Sequence, residues 1–336
     1  MTETSEIELN ELIQELEKNS SNLDLINSVA IGYFENPSML KDKEDLDYFE
    51  LAYKTKKTVK SAHNLAWYLY FEWGEQIRAT KIQKECIELN PNSFYPYYQL
   101  GYMLLDQKQF KEAIPYLEKA KRKENKRDII HNLGYCYFQL KEYEKAKELF
   151  SISVTELDIE NRSLFNLALT EYKCQNLDKV KAIADKLSEE IETNHHSTIS
   201  GYEIGLLYFL LNDFDKSAKC LIKQGIEGID LLDWNELSYS LYQTNKPIWS
   251  KQINKSIKER TEWIDEINSN HDDWSEYSTQ EKQERLNELR VEIQKRENTL
   301  KTEMTKPKQE IIKSLWVEYC GCLMFDCKRH GNKEND

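Results

Sequence analysis

Apolar and small residues recur along this chain at spacings of three and four, the pattern of a helix with one buried face. One stretch reads Phe110-x-x-Ala113-x-x-x-Leu117-x-x-Ala120. It returns as Tyr143-x-x-Ala146-x-x-x-Phe150-x-x-Ser153 and as Phe214-x-x-Ser217-x-x-x-Leu221. Each follows a second helical stretch built around a small residue. Those small residues, Ala66, Gly101, Gly134, Ala168 and Gly205, stand 35, 33, 34 and 37 positions apart. Short polar turns at 106–109, 141–142 and 212–213 join the two stretches into a hairpin, and the small residue lets the second helix approach the first closely. A hairpin of this size cannot bury its face alone, so neighbours must stack and share a core. The pattern predicts an all-α protein, an α-solenoid of helical hairpins over 59–225.

The residues around each small position carry a resemblance. They read His63-Asn64-Leu65-Ala66, Tyr98-Gln99-Leu100-Gly101, His131-Asn132-Leu133-Gly134, Phe165-Asn166-Leu167-Ala168 and Tyr202-Glu203-Ile204-Gly205, with Leu89-Asn90-Pro91-Asn92 as a turn between units. This set resembles the tetratricopeptide repeat, and the resemblance implies a hairpin array with a concave, ligand-binding groove. Upstream, residues 1–58 read as an amphipathic capping helix at 6–17 and a degenerate hairpin, 23–34 with 44–55. Downstream, 226–336 reads as a helical extension. It holds one more first helix (229–242), a long-helix hairpin over 247–304 and, after the break at Pro307, a final apolar helix over 308–325. Leu286, Leu289, Ile293, Leu300 and Met304 form the stripe of the second long helix, and Ser278 with Glu281 fits a capping box at its start. The polar faces of these helices also fit a coiled-coil homodimer as the alternative to a hairpin.

Composition agrees. Ten Gly and six Pro among 336 residues come to under 5%, against about 12% in average proteins, far too few turn residues for a sandwich or barrel. The 46 basic and 59 acidic residues give a net charge of −13, which argues against a nucleic-acid partner, since tracking phosphates needs a basic face. The longest apolar run, 65–71, is too short to span a bilayer. No signal-peptide pattern opens the chain, and seven scattered cysteines read as reduced thiols. The expected setting is cytoplasmic, without a membrane partner.

Catalytic and cofactor motifs are absent: no Gly-rich phosphate loop, no His-Glu-x-x-His, no Gly-x-Ser-x-Gly. The expectation is a protein that is not an enzyme and carries no cofactor. His195 and His196 have no Cys or acidic pair at ligand spacing. At the C-terminus Cys320, Cys322, Cys327 and His330 offer a donor set suited to zinc, but in no finger spacing. On a helix over 308–325, Cys320 and Cys322 point about 200° apart. The expected state is therefore packed, reduced and metal-free thiols.

Candidate binding residues lie on the first helix of each hairpin. Two before the small residue stand Asn64, Gln99, Asn132, Asn166 and Glu203, and the four carboxamides form a ladder. A carboxamide offers a donor and an acceptor, which together match one peptide unit of an extended chain. In the family it resembles, such a ladder holds a ligand's backbone. One position earlier stand His63, Tyr98, His131, Phe165 and Tyr202. Just after the small residue come Trp67, Tyr102, Tyr135, Leu169 and Leu206, so rings flank the ladder as apolar anchors. The family's basic clamp for a C-terminal carboxylate is missing, because its places hold His63, Trp67, Asp128 and Asn132. The expected function is a protein- or peptide-binding scaffold or regulator. Two other readings remain: a toxin-neutralising or defence-associated partner using its acidic surface, and an enzyme whose chemistry sits in the C-terminal region.

Overall fold

The turns inside the hairpins repeat as regularly as the small residues do. Lys108, Lys141, Gln175 and Asn212 all adopt the left-handed conformation, with φ of 61°, 64°, 64° and 62°. Each stands seven positions after its small residue, so the turns keep the register of Gly101, Gly134, Ala168 and Gly205. The backbone bonds around them are equivalent too. Lys141 N donates to Phe138 O at 2.9 Å and Glu142 N to Tyr137 O at 2.9 Å, while Asn212 N donates to Phe209 O and Asp213 N to Tyr208 O. This is the Schellman arrangement, which satisfies the last carbonyls of a helix and turns the chain sharply into the next.

The computed structural model describes residues 4–39, 44–154, 161–191, 198–223, 230–233, 235–269, 274–308 and 314–334. Its elements are helices throughout, an all-α solenoid of stacked hairpins, and they fall into two units. Unit 1 comprises residues 1–155 and 316–336 and unit 2 comprises 156–315.

Unit 1 contains α1 (Glu6–Lys18), α2 (Leu23–Glu35), α3 (Glu44–Thr55), α4 (Val59–Phe71), α5 (Gln76–Glu88), α6 (Tyr95–Asp106), α7 (Phe110–Lys123), α8 (Arg127–Gln139) and α9 (Tyr143–Ser153). Consecutive helices pack as hairpins, and the close approach expected at the small residues is real. A Cβ added to Gly101 would lie 2.6 Å from Leu117 Cγ on α7, and one added to Gly134 would lie 2.9 Å from Phe150 Cε1 on α9. Leu65, Leu100, Met103, Leu117 and Leu133 are fully buried and belong to one continuous apolar core.

Unit 2 contains α10 (Arg162–Lys173), α11 (Leu177–Glu190), α12 (Gly201–Leu210), α13 (Phe214–Lys223), α14 (Asn235–Thr244), α15 (Lys246–Ser269) and α16 (Thr279–Lys301). The long helices α15 and α16 form an antiparallel hairpin. Ile267 packs with Leu286 and Leu289, and Arg260 pairs with Glu292 at 2.6 Å. The capping box of Ser278 and Glu281 starts α16 as expected. Its inner stripe also carries a buried Arg296, which together with Arg260 clasps Asp230. Burial works to raise the Asp230 pKa, but the Arg296 bond, the Leu232 N–H and the two guanidinium charges outweigh it and hold the carboxyl below its usual range.

One expected element is not there. The described part of the 308–325 helix, residues 314–325, has no helix beyond a single turn-like residue at Ser314. Gly321 in its middle has φ of +59°, a conformation that would break a helix. The segment is extended, and its backbone groups find partners on unit 1 instead of on themselves. His195 and His196 lie outside the described residues, as do residues 270–273 of the link between α15 and α16.

Candidate functional site

The extended C-terminal segment lies along the first helices of the hairpins in unit 1, and the predicted ladder residues hold its main chain. Asn132 on α8 donates from Nδ2 to Glu318 O at 2.8 Å and accepts from Glu318 N at 3.0 Å. Asn64 on α4 does the same to Phe325, donating to its carbonyl at 3.0 Å and accepting its N–H at 2.8 Å. Each carboxamide therefore closes a two-bond ring with one residue of the segment. Both asparagines are fully buried, where an unpaired amide would be costly.

The residue before each asparagine adds a third bond. His131 Nε2 lies 3.0 Å from Trp316 O, and His63 Nε2 lies 2.9 Å from Leu323 O. The two grips are thus the same: His takes the carbonyl of one residue, and Asn takes both groups of the residue two further on. On the segment the grips are seven residues apart, 316 to 323 and 318 to 325. Between them Trp67 Nε1 donates to Gly321 O at 2.9 Å.

His63 is held in one orientation. Its Nδ1 faces Gln83 Nε2 at 3.2 Å, and Gln83 has a carbonyl partner in Pro96 at 2.8 Å. With Nδ1 facing an amide donor, Nε2 carries the proton and donates to Leu323 O. Burial of the ring, only partly offset by these bonds, pulls the His63 pKa down to about 4.

The remaining ladder positions do other work. Gln99 reaches sideways, donating to Gln83 Oε1 at 2.9 Å and to His63 O at 3.2 Å, so it braces α4 to α6 and does not meet the segment. Tyr98 is buried, and its hydroxyl receives a 3.3 Å contact from Asn132 Nδ2. Tyr102 stands edge-on to Tyr319, with centroids 5.8 Å apart, and Phe71 flanks the same ring at 5.5 Å. Tyr135 packs edge-on against Phe110. Asn166 and Phe165 are buried within unit 2.

Sequence reasoning missed Glu35, at the end of α2. Its Oε1 accepts from Lys328 N at 2.7 Å and from Arg329 N at 3.4 Å, while Oε2 accepts from Thr4 N at 2.9 Å. Burial works to raise the Glu35 pKa, yet these N–H groups outweigh it and lower the carboxyl. Arg329 also donates to Glu35 O at 2.8 Å, and Lys60 pairs with Asp326 at 2.7 Å. No repeat pattern marks Glu35, because it belongs to the degenerate hairpin. Its one sequence signal is an acidic residue at a helix C-terminus, where a carboxylate is disfavoured unless something binds it.

The thiols divide. Cys322, Cys327 and His330 bring their donor atoms within 4.8 Å of one another. Cys320 is not one of these donors; it is buried with Leu323 and Met324 in the core of unit 1. The Cys322 thiol points to Cys327 and lowers the Cys327 pKa, burial opposes this, and His330 lowers it further. The helical geometry that set the C-terminal thiols apart does not apply, since the segment is not a helix.

Stacked hairpins with close glycine crossings and Schellman turns define an α-solenoid. Tetratricopeptide repeat models match residues 59–93, 83–114 and 104–152, so this part of the chain is an array of tetratricopeptide repeats. No curated protein matches the sequence significantly. Solved structures with a similar fold include PilF of Pseudomonas aeruginosa, 16% identical with a TM-score of 0.49 over 68% of this chain and 100% of that one. MamA of Desulfovibrio magneticus is 22% identical with a TM-score of 0.45, over 53% of this chain and 97% of its own. YrrB, a tetratricopeptide protein with an unusual peptide-binding site, is 19% identical with a TM-score of 0.47, over 53% and 91%. Among the described residues no helix is long and apolar enough to cross a membrane.

Proposed function

We propose that this protein is a non-enzymatic interaction scaffold whose groove in unit 1 holds an extended segment of a partner protein. Its own C-terminal segment is the resident occupant, and a partner's segment takes its place. Tetratricopeptide arrays in general are protein-interaction scaffolds. One observation carries the finer reading: Asn64 and Asn132 each bind a main-chain N–H and C=O of an extended strand. Such a grip accepts any extended sequence, and selectivity then rests on the side chains between the grips. Phe325, its ring tilted against His63 with centroids 4.7 Å apart, and Tyr319 against Tyr102 are the anchors a competing segment would have to match.

The test is exchange. A specific protease site is introduced after Lys308, the full chain is cleaved, and a labelled peptide covering 314–334 is added. Saturable uptake of the peptide, weakened by Asn132→Ala, is the expected result. A nicked protein that stays folded yet never takes up peptide would show a permanently filled groove and sink the reading.

A further inference from the structure

The C-terminal segment ends in a small, tied loop. Gly331 N donates to Cys327 O at 2.8 Å and His330 N to the same carbonyl at 3.2 Å, which folds the imidazole back over the thiol. His330 Nδ1 comes to 3.3 Å from Cys327 Sγ. Asn332 reaches back to Cys322 O at 3.0 Å, and Asp326 N bonds to Asn332 O at 2.9 Å, so both halves of the loop are fixed to each other. Gly321 and Gly331 take left-handed φ of 59° and 67° at its two corners. The backbone thus converges two sulfurs and one ring nitrogen on a single point without help from any ligand.

We propose that Cys322, Cys327 and His330 Nδ1 bind a zinc ion, with solvent in the fourth position. Two thiolates and an imidazole form the donor set of a borderline-soft, tetrahedral d10 ion, and they are poor ligands for magnesium or calcium. At zinc–ligand lengths of about 2.0–2.3 Å, tetrahedral donors sit roughly 3.4–3.8 Å apart. The observed ceiling of 4.8 Å therefore needs a contraction of roughly 1.0–1.4 Å at most, within reach of side-chain rotamers. Binding releases the thiol protons as the thiolates form. His330 is exposed, so the ion has a path in from solvent. The loop lies beside Glu35, whose Oε1 is 3.6 Å from Cys327 Sγ and fixes the N–H groups of Lys328 and Arg329. A metal here fastens the end of the segment. The site does not depend on the scaffold reading, because it is built from the loop itself.

The experiment uses the full chain, kept reduced and purified without chelator, with zinc measured against a chromophoric competitor and cobalt as a spectroscopic stand-in. About one equivalent of zinc per chain is expected, together with thiolate-to-cobalt charge-transfer absorption. Both should vanish in Cys327→Ser and persist in Cys320→Ser, whose sulfur lies outside the cluster. His330→Ala alters only an exposed side chain and should weaken zinc without unfolding the protein, which keeps the test open if the serine variant fails to fold. Absence of stoichiometric zinc, or equal loss in Cys320→Ser and His330→Ala, overturns the site.

Discussion

Asn64 and Phe325, 261 positions apart in sequence, share two hydrogen bonds between one carboxamide and one peptide unit, of 3.0 and 2.8 Å. Asn132 repeats that relationship with Glu318. Replacing either asparagine by alanine leaves a buried N–H and C=O of the segment unpaired, at roughly 1–3 kcal/mol. Hydrogen exchange reads this directly. The Phe325 amide should exchange about five- to 150-fold faster in Asn64→Ala, and the Glu318 amide should respond likewise to Asn132→Ala. Unchanged protection at both would refute the pairing.

Acid should loosen the same contact through His63. Its folded pKa of about 4 lies below the unfolded value of about 6.5, so the unfolded chain takes up a proton that the folded one refuses. The stability tied to this ring is present above pH 6.5 and falls as pH drops towards 4, by up to about 3 kcal/mol. The Glu35 carboxyl, also lowered, adds loss in the same direction at lower pH. Melting temperatures of the protein and of His63→Gln, compared across this range, isolate the histidine share. Parallel curves for the two would remove it.

The close crossings carry a stability prediction. In Gly101→Ala the new methyl would sit 2.6 Å from Leu117 Cγ and 3.3 Å from the Leu117 backbone N, so α7 itself must shift. A loss of about 1–3 kcal/mol is expected from such overpacking. Chemical denaturation should show it, and a wild-type midpoint would mean the helices cross elsewhere.

Opposite in sign is Lys141→Gly. A lysine in the left-handed region is strained, whereas glycine adopts it freely. The Schellman bonds of Lys141 and Glu142 need only the backbone. The variant should gain up to about 1 kcal/mol, read as a raised melting temperature. A decrease would show that the lysine side chain contributes more than its backbone costs.

Much of this was legible in the sequence, and the limits have physical causes. The hairpins, the glycine crossings and the asparagines of α4 and α8 follow from spacing, because a repeat must keep its packing period. Gln99 misled: one extra methylene lets its amide reach Gln83, so the same register position braces the array instead of facing the groove. Apolar content alone predicts a helix for the C-terminal segment. Leu323, Met324 and Phe325 are indeed buried, but against unit 1. A helix supplies its own backbone partners, and here asparagine, histidine and tryptophan side chains from distant repeats supply them instead. Gly321, mid-run and uncapped, was the available warning.

The two His-Asn grips work as a vernier. Two repeats of the array, the 68 residues from Asn64 to Asn132, are matched against seven residues of strand, Glu318 to Phe325. A strand at about 3.3 Å per residue covers that distance in a fixed count. Seven is an odd separation, which in a regular strand would turn the two gripped peptide units to opposite faces, and the left-handed Gly321 between them breaks that alternation. The array therefore gauges the length of what it holds before it reads any side chain, and two unrelated sequences with the same count between anchors would look alike to it.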